Sequence, residues 1–144
     1  MKKNNILILS AGRRVELVQD FQAEAAKFSD GTKILCTDLN PKMSSACQAA
    51  DGAFAVPRIS APDYIDSIFE LAQAQNIGLI IPTIDTELLK LADARARFAA
   101  AGIQIVVADS ALIRQCRDKR DTIALFTRHG IASPEIYAPD NITF

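Results

Sequence analysis

Four consecutive apolar residues, Ile6, Leu7, Ile8 and Leu9, run without interruption into Ser10-Ala11-Gly12-Arg13-Arg14. An apolar run with no polar alternation belongs to a strand covered on both faces, as at the centre of a parallel sheet. The small residues that follow let the backbone turn tightly and bring its N–H groups near a ligand. Val15 then opens an amphipathic helix whose positive end points at the same place. That geometry suits an anion. Arg13 and Arg14 add planar guanidinium groups able to pair with a phosphate or carboxylate, although cations at a helix N-terminus oppose its dipole.

Strand and helix signals alternate along the rest of the chain. Leu17, Val18, Phe21, Ala25 and Phe28 recur at helical spacing until Ser29-Asp30-Gly31. Lys33–Thr37 reads as a second strand with Asp38 at its carboxyl end, and Lys42–Ala50 has room for one or two helical turns. Ala53–Val56 reads as a brief edge strand stopped by Pro57. Ser60 and Asp63, either side of Pro62, mark the start of a helix carrying Ile65, Ile68, Phe69 and Ala72, with its stop at Asn76-Ile77-Gly78. Leu79–Ile81 is the fourth strand and enters Pro82–Glu87, where Asp85 or Thr86 can cap the next helix and Glu87 falls in its first turn. That helix carries Leu88, Leu89, Ala92, Ala96 and Ala99, ends at Gly102, and leads to a fifth strand, Ile103–Ala108. The order β-α-β-β-α-β-α-β predicts a doubly wound, mostly parallel five-stranded α/β sheet with helices on both faces, a Rossmann-like domain. Asp109-Ser110 starts a short helix to about Cys116. Asp118 caps another, Lys119–His129, ended by Gly130 before an exit segment through Tyr137.

Charge and composition narrow the function classes. Sixteen basic and seventeen acidic residues give a formal net charge of −1, so no global field favours nucleic acid or an anionic membrane, and any anion binding must be local. The longest apolar run is too short to span a bilayer and Met1–Asn5 leads into a strand, so we expect a cytoplasmic protein. Cys36, Cys47 and Cys116 have no metal-ligand spacing, and with only His129 beside them they make no zinc set. Cys36, inside a strand pattern, reads as a buried hydrophobe.

Open α/β sheets bind ligands beyond the carboxyl ends of their strands, where strand order reverses. This rule selects three loops, Ser10–Arg14, Asp38–Asn40 and Pro82–Glu87. Ser10, Gly12, Arg13 and Arg14 are candidates for binding a substrate. Asp38 is either another or a turn residue bonding its own backbone before Asn40-Pro41. Asp85 and Glu87 could grip an amine, but helix capping explains both without any ligand. A dinucleotide fingerprint requires two further glycines that this loop lacks.

Ser10-Ala-Gly-Arg-Arg-Val-Glu-Leu-Val18, Ile81-Pro-Thr-Ile-Asp-Thr-Glu-Leu88 and Asp118-Lys-Arg-Asp-Thr122 with Gly130-Ile131 and Pro134 together resemble the N-terminal portion of ATP-grasp ligases, nearest to the carbamoyl-phosphate-synthase-large-chain-like group. The resemblance implies a pre-ATP-grasp domain over residues 1–110 and a helical lead-in over 111–144 to an ATP-grasp core beyond Phe144. It implies ATP-dependent activation of a carboxylate as an acyl phosphate, attack by an amine, and ATP with Mg2+ as cofactors of the full-length enzyme, whose core is joined in cis or is a separate subunit. It assigns Lys119, with Arg120 as its neighbour, to the ATP phosphates, and leaves the 144-residue chain alone without ligase activity or tightly bound cofactor. The competing expectation is a stand-alone Rossmann-like module that senses a nucleotide or phosphorylated metabolite.

Overall fold

The structure, a computed structural model, describes residues 4–28 and 31–137. The expected helix stop at Ser29-Asp30, the Phe28 side chain and the tail 138–144 lie outside the described residues. Along the chain run β1 (Asn5–Ile8), α1 (Val15–Phe28), β2 (Ile34–Asp38), a short 3-10 turn (Pro41–Met43), α2 (Ser45–Ala49), β3 (Gly52–Ala55), α3 (Tyr64–Ala74), β4 (Ile77–Ile81), α4 (Asp85–Ala100), β5 (Gln104–Ile105), α5 (Ser110–Arg117) and α6 (Lys119–Arg128). The five strands lie in the order β3-β2-β1-β4-β5, and all four pairings are parallel. The chain builds outward from β1 to the β3 edge, then crosses back to lay β4 on the other side of β1. Strand order therefore reverses between β1 and β4, which fixes where a ligand cleft can open.

Alternation along the central strands divides the core into two layers. Ile8, Ile34 and Cys36 pack with Val18 of α1 and with Ala46 and Cys47 of α2. Leu7, Leu9 and Leu35 pack on the opposite face with Ile68 and Ala72 of α3 and Leu91 and Phe98 of α4. A fully buried Leu or Ile contributes about 2 kcal/mol, and Leu7, Ile8 and Leu9 are all at 0% exposure. The apolar run that opens the chain is thus the spine of both layers. In β4, Ile77 and Ile80 join one layer although three residues apart. The register against β1 explains this: Asn5 pairs with Ile77 but Ile6 with Leu79, so Gly78 is skipped as a bulge.

Two strand boundaries differ from the sequence reading by more than one residue. Ile77 opens β4 instead of ending a helix, because Gln75 and a left-handed Asn76 (φ 53°) make the turn one step earlier. Strand five stops at Ile105 rather than Ala108. Val106 N–H donates to Ile80 O, and Val107 N–H then turns back to Ile105 O. The partner strand runs into Pro82 immediately beyond Ile81, so there is no further ladder to join.

Helices α5 and α6 are capped by Asp109 and Asp118, which accept the N–H groups of Leu112 and Arg120, each at 2.9 Å. Neither helix contributes a fully buried residue. Among the described residues, no helix is long and apolar enough to cross a membrane.

Candidate functional site

The last rung between β1 and β4 is Leu9 N–H to Ile81 O at 2.9 Å. Past it the chain turns sharply, with Ser10 at φ 50° and Gly12 at φ 56°. A serine in the left-handed region costs about 1 kcal/mol, so it persists only where its surroundings dictate it. Those surroundings are dense. Thr83 Oγ1 lies 2.8 Å from Leu9 O and 2.9 Å from Ser10 O, within donating distance of both. Arg14 donates from Nη2 to Thr83 O at 3.0 Å and from Nη1 to Ser10 O at 3.4 Å. Ser10 Oγ donates to Glu87 Oε2 at 3.0 Å.

Glu87 is the centre of this network. Its Oε2 also accepts from Tyr64 OH at 2.7 Å, and its Oε1 accepts from Thr83 N and Ile84 N at 3.0 and 3.3 Å. Four donors from three segments thus converge on one acceptor-only group that is 0% exposed. This corrects two expectations. Glu87 has no surface with which to grip an amine, and it, rather than Asp85 or Thr86, makes the side-chain bonds at this end of α4, accepting the N–H groups of the two residues that precede the helix. A glutamate at the third helical position reaches back to that end, and here its second oxygen also reaches the β1–α1 turn and α3. Burial, then the neighbouring Glu87 charge, raises the Tyr64 phenol far above its ordinary range, so at neutral pH it is a donor and not a base.

The turn's own N–H groups are directed inward. Ser10 N–H meets Thr37 Oγ1 at 3.4 Å, Ala11 N–H donates to Thr37 O at 3.0 Å, and Gly12 N–H donates to Asp38 Oδ2 at 3.2 Å. Asp38 Oδ1 accepts Asn40 N–H at 3.1 Å, the self-bonding turn that its position before Asn40-Pro41 allowed. The expected backbone cradle for an anion is therefore occupied by the end of β2, which leaves anion recognition to side chains.

A cavity of about 500 Å3 opens over this junction, with Ser10, Gly12, Arg14 and Asp38 in its wall. Its other side is the β3–α3 loop, including Arg58 and Ser60, which none of the three selected loops contained. That loop also leaves the carboxyl end of a strand, so the ligand-site rule that picked the other three covered it as well; only the absence of a motif hid it. Arg13 and Asp85 are exposed at the starts of α1 and α4 and do not line the cavity. Lys119 and Arg120 lie elsewhere, on α6. The Arg120 guanidinium binds Asp118 through Nε at 3.1 Å and Nη2 at 2.6 Å, which holds the Asp118 carboxyl down at about 2. Lys119 is exposed, with no side-chain bond among the described residues.

A larger hollow, about 860 Å3, runs along the β5 edge past Gly78, Arg95 and Val106. It gathers no convergent polar side chains, and Arg95 is engaged by Val107 O. Chemistry rather than size therefore selects the smaller cavity. Cys36 and Cys47 lie in the core with thiols raised by burial, Cys36 up to about 12, which rules them out as nucleophiles. Among the described residues, no three His, Cys, Asp or Glu side chains gather as a metal site.

A family model described as "PylC-like, N-terminal domain" matches residues 6–106. The fold is similar to that of the multifunctional pyruvate carboxylase from Rhizobium etli, with a TM-score of 0.60 at 17% identity, covering 92% of this chain and 13% of that one. It is also similar to the biotin carboxylase domain of a single-chain bacterial carboxylase (TM-score 0.57, 22% identity, 88% and 29% covered). Glycinamide-RNase-transformylase T from Mycobacterium tuberculosis gives 0.59 at 13% identity, with 87% and 35% covered. The chain thus spans about a third or less of the length of these structures. No curated protein sequence matches it.

Proposed function

The chain belongs to the PylC-like N-terminal domain family, a pre-ATP-grasp domain of ATP-grasp enzymes, and from that premise we propose that it is the substrate-holding domain of an ATP-dependent carboxylate–amine ligase. The reaction class is the one implied by the likeness to carbamoyl-phosphate synthase large chain, in which a carboxylate is activated as an acyl phosphate and taken by an amine. The observation that carries the proposal is the cavity at the β1/β4 reversal, walled by the Ser10–Arg14 turn of the matched region. In this reading Ser10, Gly12, Arg14 and Asp38 face the non-nucleotide substrate. Glu87 holds their geometry, and Arg13 and Asp85 meet only parts of a ligand that extend beyond the rim. The three free cysteines accord with work in a reducing cytoplasm.

The residues present fit ATP at one point only. Lys119 is an exposed cation without a partner among the described residues and can meet phosphate oxygens, whereas Arg120 is already bound to Asp118. No acidic cluster among the described residues fits Mg2+. ATP, when bound, supplies the phosphoryl group. The tasks of this chain are to bind the substrate, orient it and screen it from water, and the metal ligands come from an ATP-grasp core in cis or on a separate subunit. The test is ADP release from ATP-magnesium with mixed carboxylates and amines. We expect none from the 144-residue chain and release once the core is supplied. Robust turnover by the chain alone, or tight NAD binding in a calorimetric titration, would replace this reading with another enzyme or with a sensing module.

A further inference from the structure

We propose that Arg58 is the anion-recognising residue of the cavity, and that the ligand it selects is a small molecule carrying a carboxylate or phosphate beside a short aliphatic body. The inference rests on the reading of this cavity as a ligand site, and it adds the ligand's chemistry and a residue that no motif marks.

The arginines of the molecule differ in what they already hold. Arg97, Arg114 and Arg120 pair with Asp66, Asp93 and Asp118. Arg14, although it lines the cavity, spends two of its nitrogens on Ser10 O and Thr83 O. Among the described residues, Arg58 is the one arginine lining either hollow whose guanidinium has no partner. All five of its N–H donors are open to a ligand.

Its backbone, by contrast, is fixed. Pro57, directly before it, has its own φ locked by its ring, Arg58 O accepts Ala61 N–H at 2.8 Å, and Lys90 reaches over from α4 to donate to both Ile59 O and Ala61 O. A half-buried lysine bonded to two loop carbonyls pins the loop's main chain, and so fixes the point from which the arginine side chain extends before a ligand binds. Leu39, Val56, Ile59 and Ile84 supply apolar wall around it. The one acid in the cavity, Asp38, has each oxygen bonded to a main-chain N–H, which moderates its repulsion of an anion. An unpaired guanidinium carried on a pinned main chain beside aliphatic surface selects an oxyanion with an aliphatic neighbour.

The experiment is an amide-resolved NMR titration of the chain with isovalerate, isopentyl phosphate and the uncharged isovaleramide. We expect the two anions to bind in the millimolar range, shifting Arg58, Ser60 and Gly12, while the amide shifts none of them. Preference between the anions identifies the source as carboxylate or phosphate, and either preference supports the proposal. R58Q should weaken the preferred anion about tenfold or more, R58K should recover part of the loss, and R128Q, remote on α6, should leave affinity unchanged. The spectrum of each variant reports its folding directly. Absence of anion binding, equal binding of the amide, or an R58Q affinity equal to wild type would overturn the proposal. ADP release plays no part in these readings, so failure of the ligase reading and failure of this one are separable.

Discussion

Every strand contributes fully or partly buried residues to the core, β1, β2 and β4 to both of its layers, whereas α5 and α6 bury nothing completely and leave Leu112 41% exposed. The sheet body is held by apolar burial and by one buried polar hub. The two last helices are held by surface caps, by ion pairs such as Arg114–Asp93, and by packing of α5 on α4 and of α6 on α5. A body built the first way is cooperative and indifferent to salt, while an appendage built the second way loosens locally and responds to pH.

Breaking the hub should therefore have the largest effect. Glu87→Leu strands the Ser10 and Tyr64 hydroxyls and two backbone N–H groups, and we expect a loss of about 4 kcal/mol in urea unfolding. That is a large fraction of the stability of a domain this size. Deleting residues 110–144 should cost less than this one substitution and leave a single cooperative transition. If the deletion proves the more damaging, the division between body and appendage fails.

A finer version concerns Ser10, where strain and bonding compete. Ser10→Ala loses the bond to Glu87 and keeps the left-handed backbone, which should cost about 1.5–2 kcal/mol. Ser10→Gly loses the same bond but releases the backbone penalty of about 1 kcal/mol, so it should fall nearer to wild type. Thermal melts of the two variants give the order directly, and a glycine variant less stable than the alanine one would show that the turn is not strained.

How legible this was from the residues depended on range. The Ile6–Leu9 run, the helical spacing of Leu17, Val18 and Phe21, and the caps Asp109 and Asp118 are local signals, and the elements they imply are present. Asp38's self-bonded turn was equally local. Glu87 was not, because a glutamate in a first helical turn looks the same whether it faces water or a hydroxyl from a turn seventy-seven residues away. Arg58 was hidden for a related reason: its value lies in having no partner while its loop is pinned by Lys90, and neither fact can be read from Val56-Pro57-Arg58-Ile59.

The smallest effects separate body from appendage by pH. Burial raises the Cys36 thiol from 9.0 to about 12. A group whose folded pKa is raised contributes stability that is complete below its unfolded value and lost as pH climbs through the folded one. The body should therefore weaken between about pH 9 and 12, with Tyr64 adding in the same direction. At neutral pH Cys36 and Cys47 should resist a thiol reagent that modifies the half-buried Cys116. Asp118 has the opposite sign. Its hydrogen bonds to Arg120 lower it from 3.8 to about 2, so its contribution is complete above pH 3.8 and lost as pH falls through about 2. Because that carboxylate also caps α6, acid should speed amide exchange in Lys119–Arg128 before it touches β1. Asp118→Asn, which still accepts the capping N–H but carries no charge for Arg120, should abolish the acid step while keeping the helix. Exchange that quickened in α6 and β1 together on acidification would mean that the helices and the sheet unfold as one unit.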